Sequence, residues 1–443
     1  MMAHSPLEAL AQRISALKKS TPLVRWRGEV MAVQPSAIRV SGLSRHLRLG
    51  GLVEIVLPSG TVLAEVIRLD REQAAVKPLR EGVPVTLGAP VYPAGEHAIY
   101  PAAGWKGRII NALGEPADGG ARLVTGTDAV ALHRQAPEAM SRAAIGQPVA
   151  TGVRVIDLFT PLCLGQRIGI FAGSGVGKST LLSMLARSSG FDSVVVALVG
   201  ERGREVREFV ETTLGGTAVT AVIVVATGDE SAMMRRMAPL TATAIAEYFR
   251  DRGDRVLLIM DSVTRYALAC REVALAAGEP PVARGFPPSV FGDLPRLLER
   301  AGPGPSGKGS ITGLYAVLVD GDDHNDPVAD TIRGTLDGHI VLARTIAESG
   351  RYPAVDVLAS ISRLADRVWT TGQRGTVIDL RRLVGRYEES RDLRAVGGYV
   401  PGGDTELDRA IAIVPKLYRL LTQGIDGPTS SDVFGEVAEC LSG

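Results

Sequence analysis

The chain has 443 residues, of which 45% are hydrophobic and 22% are charged, and it carries a formal net charge of +1 at pH 7. This balance is typical of a soluble globular protein of about two to four domains, and it gives no sign of a nucleic-acid-binding surface. The longest apolar run, "AVTAVIVVA", is too short to span a bilayer, and the first residues lack the apolar segment of a signal peptide. The three cysteines fit neither a zinc motif nor a disulfide framework, so the sequence favours a cytoplasmic protein.

Residues 1–20 are predicted to contain an amphipathic helix. Ser5 can cap it, Pro6 suits its first turn, and a narrow apolar stripe runs along one face. The stripe consists of Leu7, Leu10, Ile14 and Leu17. Such a helix either packs on its own domain or docks onto a partner or a membrane surface, and the pattern does not decide between the two. A docking helix is our working hypothesis.

Residues 21–95 are predicted to form a β-barrel domain. Short strand-like runs are divided by Gly, Pro, Ser or charged breaks, and six such runs suggest a small closed barrel. The runs are "RGEVMAV", "AIRVSG", "GLVEIVL", "VLAEVIRL", "QAAVKPL" and "PVTLG". A passage rich in Pro and Gly, "APVYPAGEHAIYPAAGWKG", follows, and we interpret it as the connection to the next domain.

Residues 96–365 are predicted to form an α/β domain, because apolar strand-like runs alternate with helical segments. The runs "RIGIFA", "SVVVALVG", "AVTAVIVVATG" and "RVLLIMD" are apolar on both faces, which indicates the buried strands of a parallel sheet. Residues 366–443 are predicted to form a helical C-terminal domain, in which "ELDRAIAIVPKLYRLLTQ" is the clearest helix.

The stretch "IFAGSGVGKSTLL" follows the phosphate-loop pattern G-x-x-x-x-G-K-[ST], except that Ala172 replaces the first glycine. A strand precedes it and a helix follows, which is the context that lets backbone N–H groups point at phosphates. Lys178 can reach the outer phosphates, and the Ser179 hydroxyl can bind Mg²⁺. We therefore expect a nucleotide site formed by Gly173, Ser174, Gly175, Val176, Gly177, Lys178, Ser179 and Thr180.

A second stretch, "GPGPSGKGS", resembles the phosphate loop but fails its requirements. Pro303 and Pro305 have no N–H to donate, and Gly309 cannot bind a metal where the motif needs Ser or Thr. The composition predicts a flexible surface loop instead.

Charged residues follow two of the predicted strands at their carboxyl ends, where ligands of parallel sheets bind. Asp261 ends "RVLLIMD" and suits a second-shell contact to Mg²⁺ opposite Ser179, or it caps the next helix. Glu201 and Arg202 follow "VVVALVG" and suit the orientation of an attacking water and the stabilisation of the γ-phosphate. The same pair also fits a solvated charged turn, and this segment alone leaves both interpretations open.

Arg265 lies one helical turn after Asp261, so both side chains are expected to face the same way. The alternative is an ordinary surface arginine.

Together with "DDHNDPVADTIRGTLDGHIVL" and "RYPAVDVLASISR", these motifs resemble those of the type III export ATPases, which are relatives of the catalytic beta subunit of rotary ATP synthase. The resemblance covers nearly the whole chain. It implies a RecA-type P-loop core with a parallel sheet, preceded by a small β-barrel and followed by a helical domain.

The resemblance also implies roles for individual residues. Lys178 and Ser179 match the residues that bind phosphate and Mg²⁺, and Glu201 matches the catalytic carboxylate. Arg202 and Arg265 match arginines on the phosphate side. ATP with Mg²⁺ is the implied substrate and cofactor.

Two further positions follow from the resemblance alone. Tyr352 matches an aromatic residue that stacks on adenine, and Arg363 matches an arginine finger that acts in trans on the neighbouring subunit's site. For the second aromatic wall of the adenine pocket, Tyr418 and Phe434 remain open candidates.

The segment "VGGYVPGGDTELDRAI" lacks the acidic run of ATP synthases, and "GLSRHLRLGGLVEIVL" resembles the flagellar branch. The resemblance to the flagellar branch implies an ATPase of flagellar protein export. Such an ATPase is expected to form a hexameric ring that unloads chaperone–substrate complexes at the cytoplasmic face of the inner membrane. The implied partners are regulator and stalk proteins of the export apparatus and the membrane proteins of the export gate.

Two alternatives to a flagellar export ATPase remain: a virulence injectisome ATPase and, more distantly, an RNA-translocating ring ATPase. The latter needs a basic surface studded with aromatic residues; the barrel offers Trp26, several arginines and little else aromatic, so we expect no nucleic-acid partner.

Overall fold

The computed structural model describes residues 25–217, 221–319 and 326–442. The predicted N-terminal docking helix (1–20) therefore lies outside the described residues. The chain divides into two compact units, one that extends to His97 and includes Ala276–Gly278, and one formed by Ala98–Leu275 and Glu279–Gly443. The predicted division at residue 365 does not separate compact units, because the helices after it share one apolar core with the sheet.

The first unit is a closed barrel in the described residues, as predicted. Its strands are β1 (Gly28–Val33), β2 (Ile38–Ser41), β3 (Leu52–Leu57), β4 (Gly60–Leu69), β5 (Gln73–Pro78) and β6 (Pro90–Gly95). They pair in the order β1-β2-β5-β4-β3-β6. Alternate residues point inward, so that Val40, Val53, Ile55 and Val76 are fully buried in the barrel core.

The sixth strand differs from the prediction. The run "PVTLG" is not a strand; the chain turns there, with Gly88 at a φ of +75° and the Ala89 N–H donating to Thr86 O. The strand is β6, within the passage that we interpreted as a connection. Pro90 is its first residue, and Pro93 lies beside a register shift against β3, two positions where a missing N–H is tolerated.

The second unit contains the remaining strands. These are β7 (Ala98–Ile99), β8 (Ile109–Asn111), β9 (Val130–Ala131), β10 (Pro148–Val149), β11 (Leu162–Cys163), β12 (Arg167–Ala172), β13 (Ser193–Val199), β14 (Ala221–Ala226), β15 (Arg255–Asp261), β16 (Gly302–Pro303), β17 (Ser310–Leu318), β18 (Gly338–Leu342) and β19 (Ile361–Ser362). The main sheet has the order β19-β18-β12-β17-β15-β13-β14-β8, with β16 paired to β17. All its pairings are parallel except those of β16 and β19. Every residue of β13 and β14 is buried, which explains their continuous apolar sequence.

Eight described α-helices lie between these strands. They are α1 (Arg154–Phe159), α2 (Lys178–Ala186), α3 (Gly203–Thr217), α4 (Ala232–Arg250), α5 (Val263–Ala276), α6 (Pro288–Leu298), α7 (Pro327–Thr335) and α8 (Arg344–Glu348). The C-terminal part is helical, as predicted, with α9 (Ala365–Val368), α10 (Thr371–Glu389), α11 (Arg391–Ala395), α12 (Thr405–Leu421) and α13 (Val433–Ser442). Thr370 and Gln373 form a capping box at the start of α10, and Asp404 caps α12. Among the described residues, none of the helices has the length and apolar character needed to cross a membrane.

The stretch "GPGPSGKGS" is not a flexible loop, and that prediction is wrong. Gly302–Pro303 forms β16 and pairs with Ser310–Ile311 of β17, so the stretch is a hairpin whose first residues are buried. Lys308 donates to Asp251 O at 2.8 Å. The stretch is held by backbone pairing and has no helix after it, which leaves it without the N-terminal N–H groups that bind phosphate.

Candidate active site

The phosphate loop joins β12 to α2. Gly175 and Gly177 have φ angles of +78° and +89°, which favour glycine, and Gly177 precedes the first helical residue. Because Gly177 has no side chain to cap the helix, the first N–H groups of α2 point into the loop without a side-chain acceptor from that residue. Ala172 belongs to β12 and is 2% exposed, so its methyl lies in the sheet core and the missing first glycine does not disturb the loop.

Residues of the loop differ in exposure. Ser174, Ser179 and Thr180 are exposed, whereas Val176 is 2% exposed and packs in the core beneath the loop. The exposed hydroxyl of Ser179, on the first turn of α2, is accessible to a metal ion bound with phosphate. Arg344 Nη2 donates to Ser174 O at 3.3 Å, a contact that the sequence did not suggest.

Lys178 lies between two carboxylates at the strand ends. Its Nζ forms an ion pair with Asp261 Oδ1 and lies 3.6 Å from Glu201 Oε1. Asp261 is the last residue of β15, and Glu201 follows β13, the strand next to it in the sheet. The sheet register therefore brings together the three side chains that the sequence predicted for this edge.

Glu201 has an unusual environment for a carboxylate. It is 8% exposed, and its Oε1 has no hydrogen-bond partner among the described residues. Burial raises its pKa to about 7; Asp261 adds to the rise, whereas Lys178 opposes it. A carboxylate with this pKa can accept a proton from water near neutral pH.

Arg265 contacts Glu201. Its Nε lies 3.6 Å from Glu201 Oε1, whereas the sequence suggested that it would share a face with Asp261. A Cβ added at Gly200 would lie 2.7 Å from Cδ of Arg265, so the arginine passes directly over a glycine to reach the carboxylate. Arg202 is not part of this cluster: its side chain is 80% exposed and pairs with Glu205 at 3.7 Å.

Tyr352 lies against the phosphate loop. A Cβ added at Gly177 would be 3.3 Å from Cδ1 and Cε1 of its ring, and the residue is 42% exposed. Its role in binding adenine remains a prediction. Of the two open candidates for the second wall, Tyr418 lies under the guanidinium of Arg351 and donates its hydroxyl to Glu388, while Phe434 packs against the core at α13.

Arg363 lies far from the phosphate loop within its own chain. It follows β19, whose Ser362 pairs with Gly338 at the beginning of β18, while Ala172 pairs with Leu342 at the other end of that strand. Arg363 is exposed, and among the described residues its side chain has no hydrogen bond or ion pair. Its backbone N–H donates to Asp337 O at 3.0 Å.

The strand–loop–helix geometry with its buried carboxylates defines a P-loop ATPase. The ATP synthase alpha/beta family, nucleotide-binding domain, matches residues 152–362, and the T3SS EscN ATPase C-terminal domain matches residues 369–434. A flagellum-specific ATP synthase of Rhizobium meliloti (strain 1021) is 57% identical over 98% of this chain and 93% of its own length. A type 3 secretion system ATPase of Xanthomonas euvesicatoria is 44% identical over 96% of both chains.

Solved structures agree with these relatives. The assembled ATPase EscN from the enteropathogenic E. coli type III secretion system has a TM-score of 0.87 and 41% identity, over 94% of this chain and 99% of that chain. EscN in complex with its central stalk EscO has a TM-score of 0.84 and 40% identity over the same shares. The chain therefore belongs to the type III secretion ATPase family, and the higher identity to the Rhizobium protein favours the flagellar branch over the injectisome branch.

Proposed function

We propose that the chain hydrolyses ATP as a ring, in which Arg363 of each subunit completes the nucleotide site of its neighbour, and that the energy drives flagellar protein export. The position of Arg363 carries this proposal. The residue is level with the beginning of β18, and the phosphate loop is level with its end. The strand has five residues, so its first and last residues are four rises apart, which at roughly 3.3 Å per residue is about 13 Å.

An arginine side chain is too short to span this distance and then reach into the phosphate loop. In this arrangement Arg363 therefore cannot act on the phosphates bound by its own subunit. An internal salt bridge is the alternative to a trans role, and none of the described residues forms one with Arg363. An exposed arginine without a partner is suited to meet charge that develops on a phosphate in an adjacent subunit.

Within each site, the proposed chemistry follows from the cluster at the strand ends. ATP phosphates would bind the N–H groups of the loop and the Lys178 ammonium, which is already held at this edge by its ion pair with Asp261. Glu201 would orient the attacking water and accept its proton, and Arg265 would keep the Glu201 carboxylate in place.

Mg²⁺ fits this donor set. No group of three or more His, Cys, Asp or Glu side chains suited to a metal occurs in the described part of the chain, so these residues alone do not form a metal cage. Mg²⁺ bound with ATP needs few protein ligands; the exposed Ser179 hydroxyl would bind it directly, and the buried Asp261 carboxylate would contact it through water in the second shell. The ion would neutralise charge on the outer phosphates.

The export function rests on the relatives. We propose a hexamer with a stalk protein, by analogy with the EscN–EscO complex, and further contacts with a regulator, the export gate and chaperone–substrate complexes. The same analogy suggests a position at the cytoplasmic face of the inner membrane. Injectisome secretion is the second candidate, and the 44% identical Xanthomonas protein supports it. Deletion of the gene should abolish flagellar filaments if the flagellar assignment is correct.

Mixing two inactive variants tests the shared site. Arg363→Ala should bind ATP but turn over very little, since loss of an arginine finger costs about 10³-fold or more. Lys178→Ala should be inactive because its own site fails, although its arginine remains usable. Mixed before assembly, the two should regain activity, because some sites then combine an intact Lys178 with an intact Arg363. A flat, inactive mixing curve, with mixed rings shown to form, would exclude the trans role.

A further inference from the structure

Gln423 is a buried residue whose hydrogen bonds connect its own segment to Gly152–Arg154 and to Tyr352. It is 5% exposed and lies just after α12. Its Oε1 accepts from the Arg154 N–H at 3.1 Å, and its Nε2 donates to Gly152 O at 2.9 Å and to Pro428 O at 3.0 Å. Both ends of the amide are thus used, which fixes the orientation of the side chain and of the backbone that carries it.

The backbone of Gln423 holds Tyr352. Its N–H donates to Tyr352 O at 2.8 Å, and the Tyr352 ring lies over Gly177 of the phosphate loop. The ring itself is partly exposed, with a phenol that forms no hydrogen bond among the described residues. The backbone on which the ring depends is therefore held by a residue distant in sequence.

We infer that Gln423 is a positioning residue for base recognition: it fixes Tyr352 in the place where the ring stacks on the purine of the nucleotide. This inference rests on the proposed role of Tyr352. A loosened ring would weaken the contact with the base and leave the phosphate contacts of the loop unchanged. Gln423 therefore contributes to the selection of a nucleoside triphosphate over a triphosphate that has no base.

The test compares the affinities of the full-length protein for ATP and for inorganic tripolyphosphate. Gln423→Met keeps the length of the side chain but leaves Pro428 O without this donor and the Arg154 backbone N–H without its acceptor, while Gly152 O keeps the Ser430 N–H. We expect the ATP-to-tripolyphosphate affinity ratio to fall about threefold to tenfold, the range of one aromatic contact. Tripolyphosphate affinity should stay unchanged. The matched control is Gln373→Met, which removes a structural glutamine from the capping box of α10 and should leave the ratio unchanged.

A double-mutant cycle with Tyr352→Ala separates the inference from the proposal beneath it. Tyr352→Ala should lower the ratio about tenfold, and Gln423→Met should add nothing to it, because the ring that it positions is gone. If Tyr352→Ala leaves the ratio unchanged, the adenine role and the inference both fail. If Tyr352→Ala lowers the ratio and Gln423→Met does not, or if the two effects add, only the inference is wrong.

Hydrogen exchange of the unmodified protein gives a second test that does not depend on a folded variant. Because the Gln423 N–H binds the Tyr352 carbonyl, stacking of the base should stabilise this bond. ATP should therefore slow exchange at Gln423 more than tripolyphosphate does at equal saturation. Equal protection by the two ligands would overturn the inference.

Discussion

Glu201 Oε1 lies 3.6 Å from Lys178 Nζ, yet burial raises the pKa of the carboxyl to about 7. The cost of removing the carboxylate from water therefore exceeds the attraction of the nearby ammonium. Asp261 contributes to this outcome, because its own carboxylate takes the closer contact with Lys178 and repels a second negative charge. The result is a group whose protonation changes within the working range of an enzyme.

The first prediction concerns pH. A base must be deprotonated, so kcat/KM for ATP should rise as pH increases and level off above about pH 7. Glu201→Gln should bind Mg·ATP but turn over very slowly, since an amide does not accept the proton. Glu211→Gln, an exposed glutamate on α3 that pairs with Arg207, should keep the full activity and the same profile. A profile that is flat between pH 5.5 and about 8 would exclude Glu201 as the base.

The same pKa shift predicts how stability depends on pH. The folded-state pKa lies above the ordinary value of 4.5, so the fold favours the protonated carboxyl. The stabilising contribution is complete below the ordinary pKa and is lost as pH rises through about 7. Glu201→Gln should therefore gain thermal stability relative to the unmodified protein at pH 8 and gain less at pH 5, as measured by unfolding scans at both values.

Substitution of the lysine in each of the two G-K sequences should affect ATP turnover to a very different extent. Lys178→Ala removes the cation at the strand ends and should reduce turnover about 100-fold or more. Lys308→Ala removes a surface contact to Asp251 O in the hairpin and should leave turnover within a few-fold. Steady-state ATPase assays measure both. Near-normal activity of Lys178→Ala would contradict the assignment of the nucleotide site.

Alanine substitutions at Gly177 and Gly307 distinguish the effect of backbone strain from the effect of contact with the Tyr352 ring. Both have positive φ angles, +89° and +82°, so alanine should cost about 1 kcal/mol or more at either position. Only at Gly177 would the new Cβ also approach the Tyr352 ring, at 3.3 Å; nothing lies within 4 Å at Gly307. Gly177→Ala should weaken ATP binding in titrations, while Gly307→Ala should leave it unchanged. Equal affinities would show that the loop tolerates displacement of the ring.

Local patterns predicted the centre of the site well. The phosphate loop depends on adjacent residues, and the nearness of Glu201 and Asp261 follows from the rule that parallel strands end at one edge of the sheet. The structure confirms this geometry through the pairing of β13 with β15. The proposed trans action of Arg363 could not be derived from spacing, since the argument for it depends on the pairing of β18 with β19.

The features that the sequence did not reveal depend on contacts between distant residues. Gln423 bonds to Gly152 across 271 positions, and Arg344 reaches Ser174 across 170. Neither residue type carries a local signal for such a contact. The sixth barrel strand was misplaced for a related reason: its prolines argue against a strand, and only the register shift against β3 shows why Pro93 is tolerated there.

Arg202 provides the last prediction, because its surroundings fit two interpretations. Its side chain is 80% exposed and pairs with Glu205 three residues later, as in an ordinary helix surface. Arg207, on the helix α3 that begins just after Arg202, is equally exposed, at 80%, and pairs with Glu211 at 2.8 Å. Such exposed pairs contribute about 0.5 kcal/mol or less to stability.

If Arg202 meets the γ-phosphate, Arg202→Ala should lower kcat about tenfold or more. Arg207→Ala should stay within about twofold of the unmodified protein, because it loses only its ion pair. Parallel kcat measurements on the two variants decide the matter: equal, small effects would place Arg202 among the surface residues and leave Lys178 and Arg363 as the cations of the proposed reaction.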